Sequence, residues 1–146
     1  MLKENPRNPG ALNYYGYMLA DRGVRLDEAT DLIKRALAED PGNPAYLDSL
    51  GWAYFKQNKF TEAEEPLRTA ASRESHDPTI LSHLGELYLK LGKDNLAEMQ
   101  WQKSADEWRR VLPGDFEPDK LAEVEQKISA LKRRLAQQKT TGDAKP

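Results

Sequence analysis

The chain repeats itself at a spacing of 35 and then 34 residues. Three dipeptides set the period: Asn8-Pro9, Asn43-Pro44 and Asp77-Pro78. In each, a side-chain acceptor stands where a helix begins, followed by proline at the first helical position, where no backbone N–H is needed. Behind each pair the same types recur in register. Leu12, Leu47 and Leu81 correspond, then Tyr15, Leu50 and Leu84, then Gly16, Gly51 and Gly85, then Leu19, Tyr54 and Tyr88. These steps of i, i+3, i+4 and i+7 put one stripe on one helical face. A second set follows in each unit: Ala29, Ala63 and Ala97, then Ile33, Leu67 and Trp101, then Ala36, Ala70 and Ser104. Small residues on both helices of a pair let two antiparallel helices approach closely. A period of this length implies stacked helix hairpins, each needing its neighbours to bury its apolar face.

The boundaries follow from breakers and caps. The first hairpin spans Pro9 to about Asp21 and about Leu26 to Glu39, ended by Pro41-Gly42. The second spans Pro44 to about Gln57 and about Phe60 to Arg73, with Pro66 inside its second helix, where a bend is expected. The third spans Pro78 to about Leu91, with Gly92 as a left-handed cap, and about Asp94 to Val111. A last helix, about Pro118 to Gln138, carries Leu121, Val124, Ile128, Leu131 and Leu135 on a narrow stripe. It reads as a cap on the last repeat; the rival reading is a coiled-coil seam, for which two heptads are short. Trp101 and Trp108 are expected beneath it. Residues 139–146 read as a disordered tail. The fold class is all-α: a right-handed α-solenoid of three hairpins plus a capping helix, over residues 1–138.

The order large–large–Gly–Tyr, then Ala–large–Ala, then proline resembles the tetratricopeptide repeat. The likeness covers residues 8–109. It departs from the pattern where the usual first-helix Trp is Leu, and where the closing proline, Pro41, is replaced by Ser75 and Arg109. The segment from Gly16 to Lys56 also resembles C-terminal repeats of bacterial tetratricopeptide lipoproteins and adaptors. Residues 1–9 align with 36–44, so the start reads as the tail of an earlier repeat; the alternative is a short protein whose N-terminus caps itself.

The resemblance implies protein–protein interaction, as a scaffold or adaptor, through a concave groove lined by the first helices. The groove positions it implies are Asn13, Tyr17 and Ala20, then Asp48, Trp52 and Phe55, then Ser82, Glu86 and Leu89, with His83 at their border. Aromatic rings make good anchors because they bury large area with few rotors. Trp52 and Phe55 also suit a second task, filling gaps between repeats. The clamp of Lys, Asn and Arg that grips chaperone C-terminal tails is not assembled: the relevant positions hold Asn13, Tyr17, Thr79 and His83. Two alternatives stand beside the groove: a structural cap of a longer array, and self-association through the first repeat.

Composition narrows the rest. With no cysteine there is no disulfide, thiol nucleophile or thiolate metal site. A net charge of −2 and no basic stripe speak against nucleic acid. No 18-residue apolar run spans a membrane. His76 and His83 lie seven apart and do not form a metal-binding pair on a helix. There is no phosphate loop or nucleophile motif, so no enzyme, cofactor or metal is expected. The compartment is left open between the cytoplasm and, for a lipoprotein fragment, the periplasm or a tether at the outer membrane.

Overall fold

A computed structural model describes residues 8–111, 113–115 and 117–143. The expected repeat remnant at residues 1–7 lies outside the described residues. Among the described residues seven α-helices follow in order: α1 Pro9–Arg22, α2 Leu26–Glu39, α3 Pro44–Lys56, α4 Phe60–Arg73, α5 Pro78–Lys90, α6 Asp94–Arg110 and α7 Pro118–Asp143. A short 3-10 turn, Pro113–Asp115, precedes α7. No strand occurs among the described residues. No helix there is long and apolar enough to cross a membrane.

The three dipeptides work as expected. Asn8 Oδ1 accepts from the Ala11 N–H at 2.9 Å. Asn43 Oδ1 accepts from Ala45 and Tyr46 at 2.9 and 3.2 Å, and Asp77 Oδ1 from Thr79 and Ile80 at 2.9 and 3.1 Å. Each satisfies backbone donors that the first turn of a helix leaves free. The turns inside the hairpins obey one rule too. Gly23, Asn58 and Gly92 stand at the same repeat position, and all three have positive φ, 70°, 63° and 76°. Asn is among the few residues with a side chain that enter this region readily. The extra residue of the first turn is absorbed by a second left-handed residue, Arg25, at φ 48°.

The chain divides into two compact units, Met1–Ser75 and His76–Pro146. The first holds two hairpins, α1–α2 and α3–α4, and α3 packs on both helices of the first pair. Its core runs through Leu12, Leu19, Ala20, Ala29, Leu32, Ile33, Ala36 and Ala53. The second holds the hairpin α5–α6 and α7, which packs on α6. Val124, Ile128 and Leu131 of the α7 stripe are buried, so the stripe caps its own hairpin.

The repeated glycines have one steric cause. A Cβ on Gly16 would meet Ile33 Cγ1 at 2.7 Å, one on Gly51 would meet Leu67 Cγ at 2.5 Å, and one on Gly85 would meet Trp101 Cδ1 at 2.5 Å. Each glycine receives the large residue of its own hairpin's second helix. The small position near the end of that helix tolerates a hydroxyl only with a partner: Ser104 is wholly buried, and its Oγ donates to the Pro78 carbonyl at 2.7 Å.

One boundary differs from the sequence reading. Helix α7 continues to Asp143, where the sequence suggested an end at Gln138 and a disordered tail. Polarity alone does not stop a helix: Lys and Gln are good helix formers, and the Thr140 hydroxyl bonds back to the Ala136 carbonyl at 3.0 Å. Residues 144–146 of that tail lie outside the described residues. Pro66 sits inside α4, which is assigned as one helix from Phe60 to Arg73.

Candidate functional site

In the first unit the candidate face lies on α1 and α3. Asn13, Tyr17 and Ala20 recur every three or four residues along α1, and Asp48, Trp52 and Phe55 along α3. Their surroundings differ from what helical projection implies. Ala20 is fully buried and offers no contact surface, and Asp48 is buried as well. Asn13 and Tyr17 are half-buried. The Asn13 Oδ1 atom is inaccessible to solvent and has no hydrogen-bond partner.

Trp52 is the structural pivot of this unit. It is 8% exposed, and its indole Nε1–H donates to Asp21 Oδ1 at 3.1 Å, a link from α3 back to the end of α1. Phe55 and Lys56, three and four residues on, share its helical face. The Phe55 ring stacks on Trp52 with centroids 4.7 Å apart and planes 7° apart. The Lys56 ammonium lies 5.1 Å from the Trp52 ring centroid, within cation–π range. Phe55 also meets Phe60 edge-on at 5.4 Å. The expected strip of Trp52 and Phe55 thus exists as a fixed stack. Phe55, half-buried, is its accessible member, while Trp52 serves mainly to join the two hairpins.

In the second unit, α5 carries Ser82, His83, Glu86 and Leu89. His83 is buried; Ser82, Glu86 and Leu89 are half-buried. Glu86 and Leu89 come together, and with partners the sequence reading missed. They line a cleft of about 280 Å³ with Trp101 of α6 and with Lys127, Ala130, Leu131 and Arg134 of α7. Lys127 forms an ion pair with Glu86 and lies 3.4 Å from Glu123. Arg134 pairs with Asp94 at 3.0 Å. The sequence carries a signal for them: Lys127 and Arg134 flank the apolar stripe of α7, seven residues apart. Their role depended on knowing which helix that stripe would cover. The Trp101 ring is 2% exposed, and its Nε1 has no hydrogen-bond partner.

At the start of α5, His76 Nδ1 lies 2.9 Å from Glu107 Oε1, which also accepts from Arg110 at 2.8 Å. The His76 hydrogen bond chiefly, then the charges of His76 and Arg110, hold the Glu107 carboxyl below its usual 4.5 against the opposing effect of burial. Among the described residues, no group of three His, Asp or Glu side chains is placed to hold a metal ion.

Stacked helix hairpins with a helical cap define an α-solenoid of short repeats. The tetratricopeptide repeat matches residues 1–44 and 49–110, and the chain belongs to that family. A TPR repeat-containing protein of Pseudomonas aeruginosa, PA4667, is 45% identical over 67 residues, which are 46% of this chain and 11% of that protein. Among solved structures, a type III secretion complex from Aeromonas hydrophila superposes with a TM-score of 0.75 at 18% identity, covering 88% of this chain and 83% of that one. The first TPR of Spaghetti (RPAP3), bound to the HSP90 peptide SRMEEVD, gives 0.71 at 21%, covering 88% and 93%. PcrH in complex with the chaperone binding region of PopD gives 0.73 at 18%, covering 86% and 91%.

Proposed function

We propose that the chain is a protein–protein interaction module, a scaffold or adaptor that holds a partner segment against the first helices of its hairpins. The observation that carries this reading is the α1/α3 face. It presents Tyr17 and Phe55 half-exposed, and Phe55 is held rigid by its stack on Trp52. Rings already fixed by packing lose little entropy when a partner covers them. The similar folds that bind an HSP90 peptide and the chaperone binding region of PopD support a peptide-like partner. An acidic tail of the SRMEEVD kind suits this chain poorly. Asn13 and Tyr17 stand where a basic clamp is needed.

The test uses peptides selected from a random library on the immobilised chain. Tyr17→Ala and Phe55→Ala should each weaken the selected peptides at least tenfold by calorimetry, with Arg68→Ala on α4 as the neutral control. Unchanged affinity in both variants would sink the groove reading. A second reading, self-association through the first hairpin, is favoured by Tyr14, which is 67% exposed on α1. Sedimentation at two concentrations separates the two readings; a concentration-independent monomer eliminates the second.

A further inference from the structure

The cleft of the second unit has a chemistry of its own. Leu89, Trp101, Ala130 and Leu131 give it apolar walls, joined by Glu86, Lys127 and Arg134. Those charges are already matched within the protein: Lys127 to Glu86 and Glu123, and Arg134 to Asp94. An occupant therefore meets apolar walls and no uncompensated charge among the lining residues, the pattern of a dry contact inside a polar rim. A charged group placed there would lose hydration without gaining a partner.

The hollow has a sequence cause. The α7 stripe closes on its hairpin through Val124, Ile128 and Leu131, all buried, but beside Leu131 stands Ala130, whose methyl group leaves space unfilled. Small-molecule pockets run from about 300 to 1,000 Å³. At about 280 Å³ this cleft is at the lower bound, of a size for one large side chain. We propose that it receives a single uncharged apolar side chain, of leucine, methionine or phenylalanine size, from a bound polypeptide. The proposal rests on the reading of the chain as an interaction module and assigns it an anchor point apart from the α1/α3 face.

The test needs no identified partner. The chain has three tryptophans, so its indole N–H groups give three NMR signals, and Trp101→Phe assigns one of them. The intact chain is titrated with N-acetyl-phenylalaninamide and N-acetyl-leucinamide, and in parallel with the lysine and glutamate analogues. The Trp101 signal should shift saturably with the apolar probes, at least tenfold more weakly with the charged ones, and equally at low and high salt. Ala130→Trp, which fills the hollow from an exposed helix position, should abolish the shift and leave the thermal midpoint within about 2 °C, since surface substitutions stay within about ±0.5 kcal/mol. Ala130→Ser should retain it. Absence of saturation, equal response to charged probes, or an unaltered titration in Ala130→Trp overturns the proposal. Apolar probes that perturb only Trp52 also overturn it, yet leave the interaction reading standing. Saturation at Trp101, with library peptides indifferent to Tyr17 and Phe55, upholds the cleft and removes the α1/α3 groove.

Discussion

The two units solve one packing problem with different materials. In Met1–Ser75 the second hairpin is joined to the first by hydrogen bonds and apolar contact. Trp52 reaches Asp21, Gln57 reaches Asp27 and Thr30 at 3.2 and 3.4 Å, and Arg73 covers the Pro41-Gly42 turn by bonding the Gly42 carbonyl. In His76–Pro146 the helix that follows the hairpin is amphipathic and highly charged, and it is tied by ion pairs. Beside Lys127–Glu86 and Arg134–Asp94 stand Arg109–Glu125 at 3.7 Å and Lys132–Glu98 at 3.7 Å. Within the first unit, one hairpin is completed by the next through apolar contact pinned by hydrogen bonds. A repeat followed by a cap is completed by a narrow stripe whose borders are charged. The stripe supplies most of the stabilisation, because half-exposed ion pairs contribute only about 0–1 kcal/mol each.

The largest effects are expected at the residues seated on the glycines. Trp101→Ala should cost about 3–5 kcal/mol, and Leu67→Ala about 2–5 kcal/mol, because each empties the contact between the helices of one hairpin. Thermal unfolding followed by circular dichroism checks both. If Trp101→Ala is mild, the indole is not the keystone of the second unit.

Adding a methyl group from the other side sharpens the same contrast. Gly51→Ala and Gly85→Ala should each cost about 1–3 kcal/mol through overpacking, with Gly85 at the upper end. Leu67 can change rotamer to relieve a 2.5 Å approach, whereas the rigid indole meets the new carbon with two atoms at 2.5 Å. Equal losses in denaturant unfolding would mean that the second unit relaxes as easily as the first.

Smaller effects separate the links between elements. Trp52→Phe keeps an aromatic ring beside Phe55 and removes the bond to Asp21; a loss of at least about 0.5–1.5 kcal/mol is expected, with faster hydrogen exchange along α3. Raising the salt to 1 M shortens the screening length to about 3 Å. Exchange should then quicken in α7 more than in α3, and equal quickening would remove the distinction between the two devices.

The smallest expected effect is the pH response at Glu107. Its carboxyl is held below the ordinary 4.5 in the folded state, mainly by the His76 hydrogen bond. A depressed folded value means the stabilisation is complete above 4.5 and is lost as the pH falls through the folded value. Glu107→Gln should lower the neutral plateau slightly and leave the acid end, where the carboxyl is already protonated, unchanged, so that the acid limb flattens. An unchanged acid limb would show that the pair contributes nothing.

Local features were open to sequence reading. The caps at Asn8, Asn43 and Asp77 act within three residues of themselves, so their role is visible without a fold. Gly16, Gly51 and Gly85 could be read as contact points, since their partners recur at the same period. The candidate face was half legible. Helical spacing placed Trp52 and Phe55 on one side of α3, and they do stack. Spacing could not show that Trp52 would spend its indole N–H on Asp21, 31 residues away, or that Ala20 would be closed off. Glu86 and Leu89 were read as groove residues. Their pairing with Lys127, Ala130 and Arg134 depended on where α7 settles.

The repeat is written into the chain: its period, its helices, its caps and the close approach at each glycine. Each of these is set by interactions within one hairpin or one turn. Which face remains available is settled by packing. Exposure depends on what the following helix covers, and that is fixed by packing between elements distant along the chain. Beside the apolar stripe that seals Val124, Ile128 and Leu131 stands Ala130, and its short side chain leaves the cleft beside Trp101.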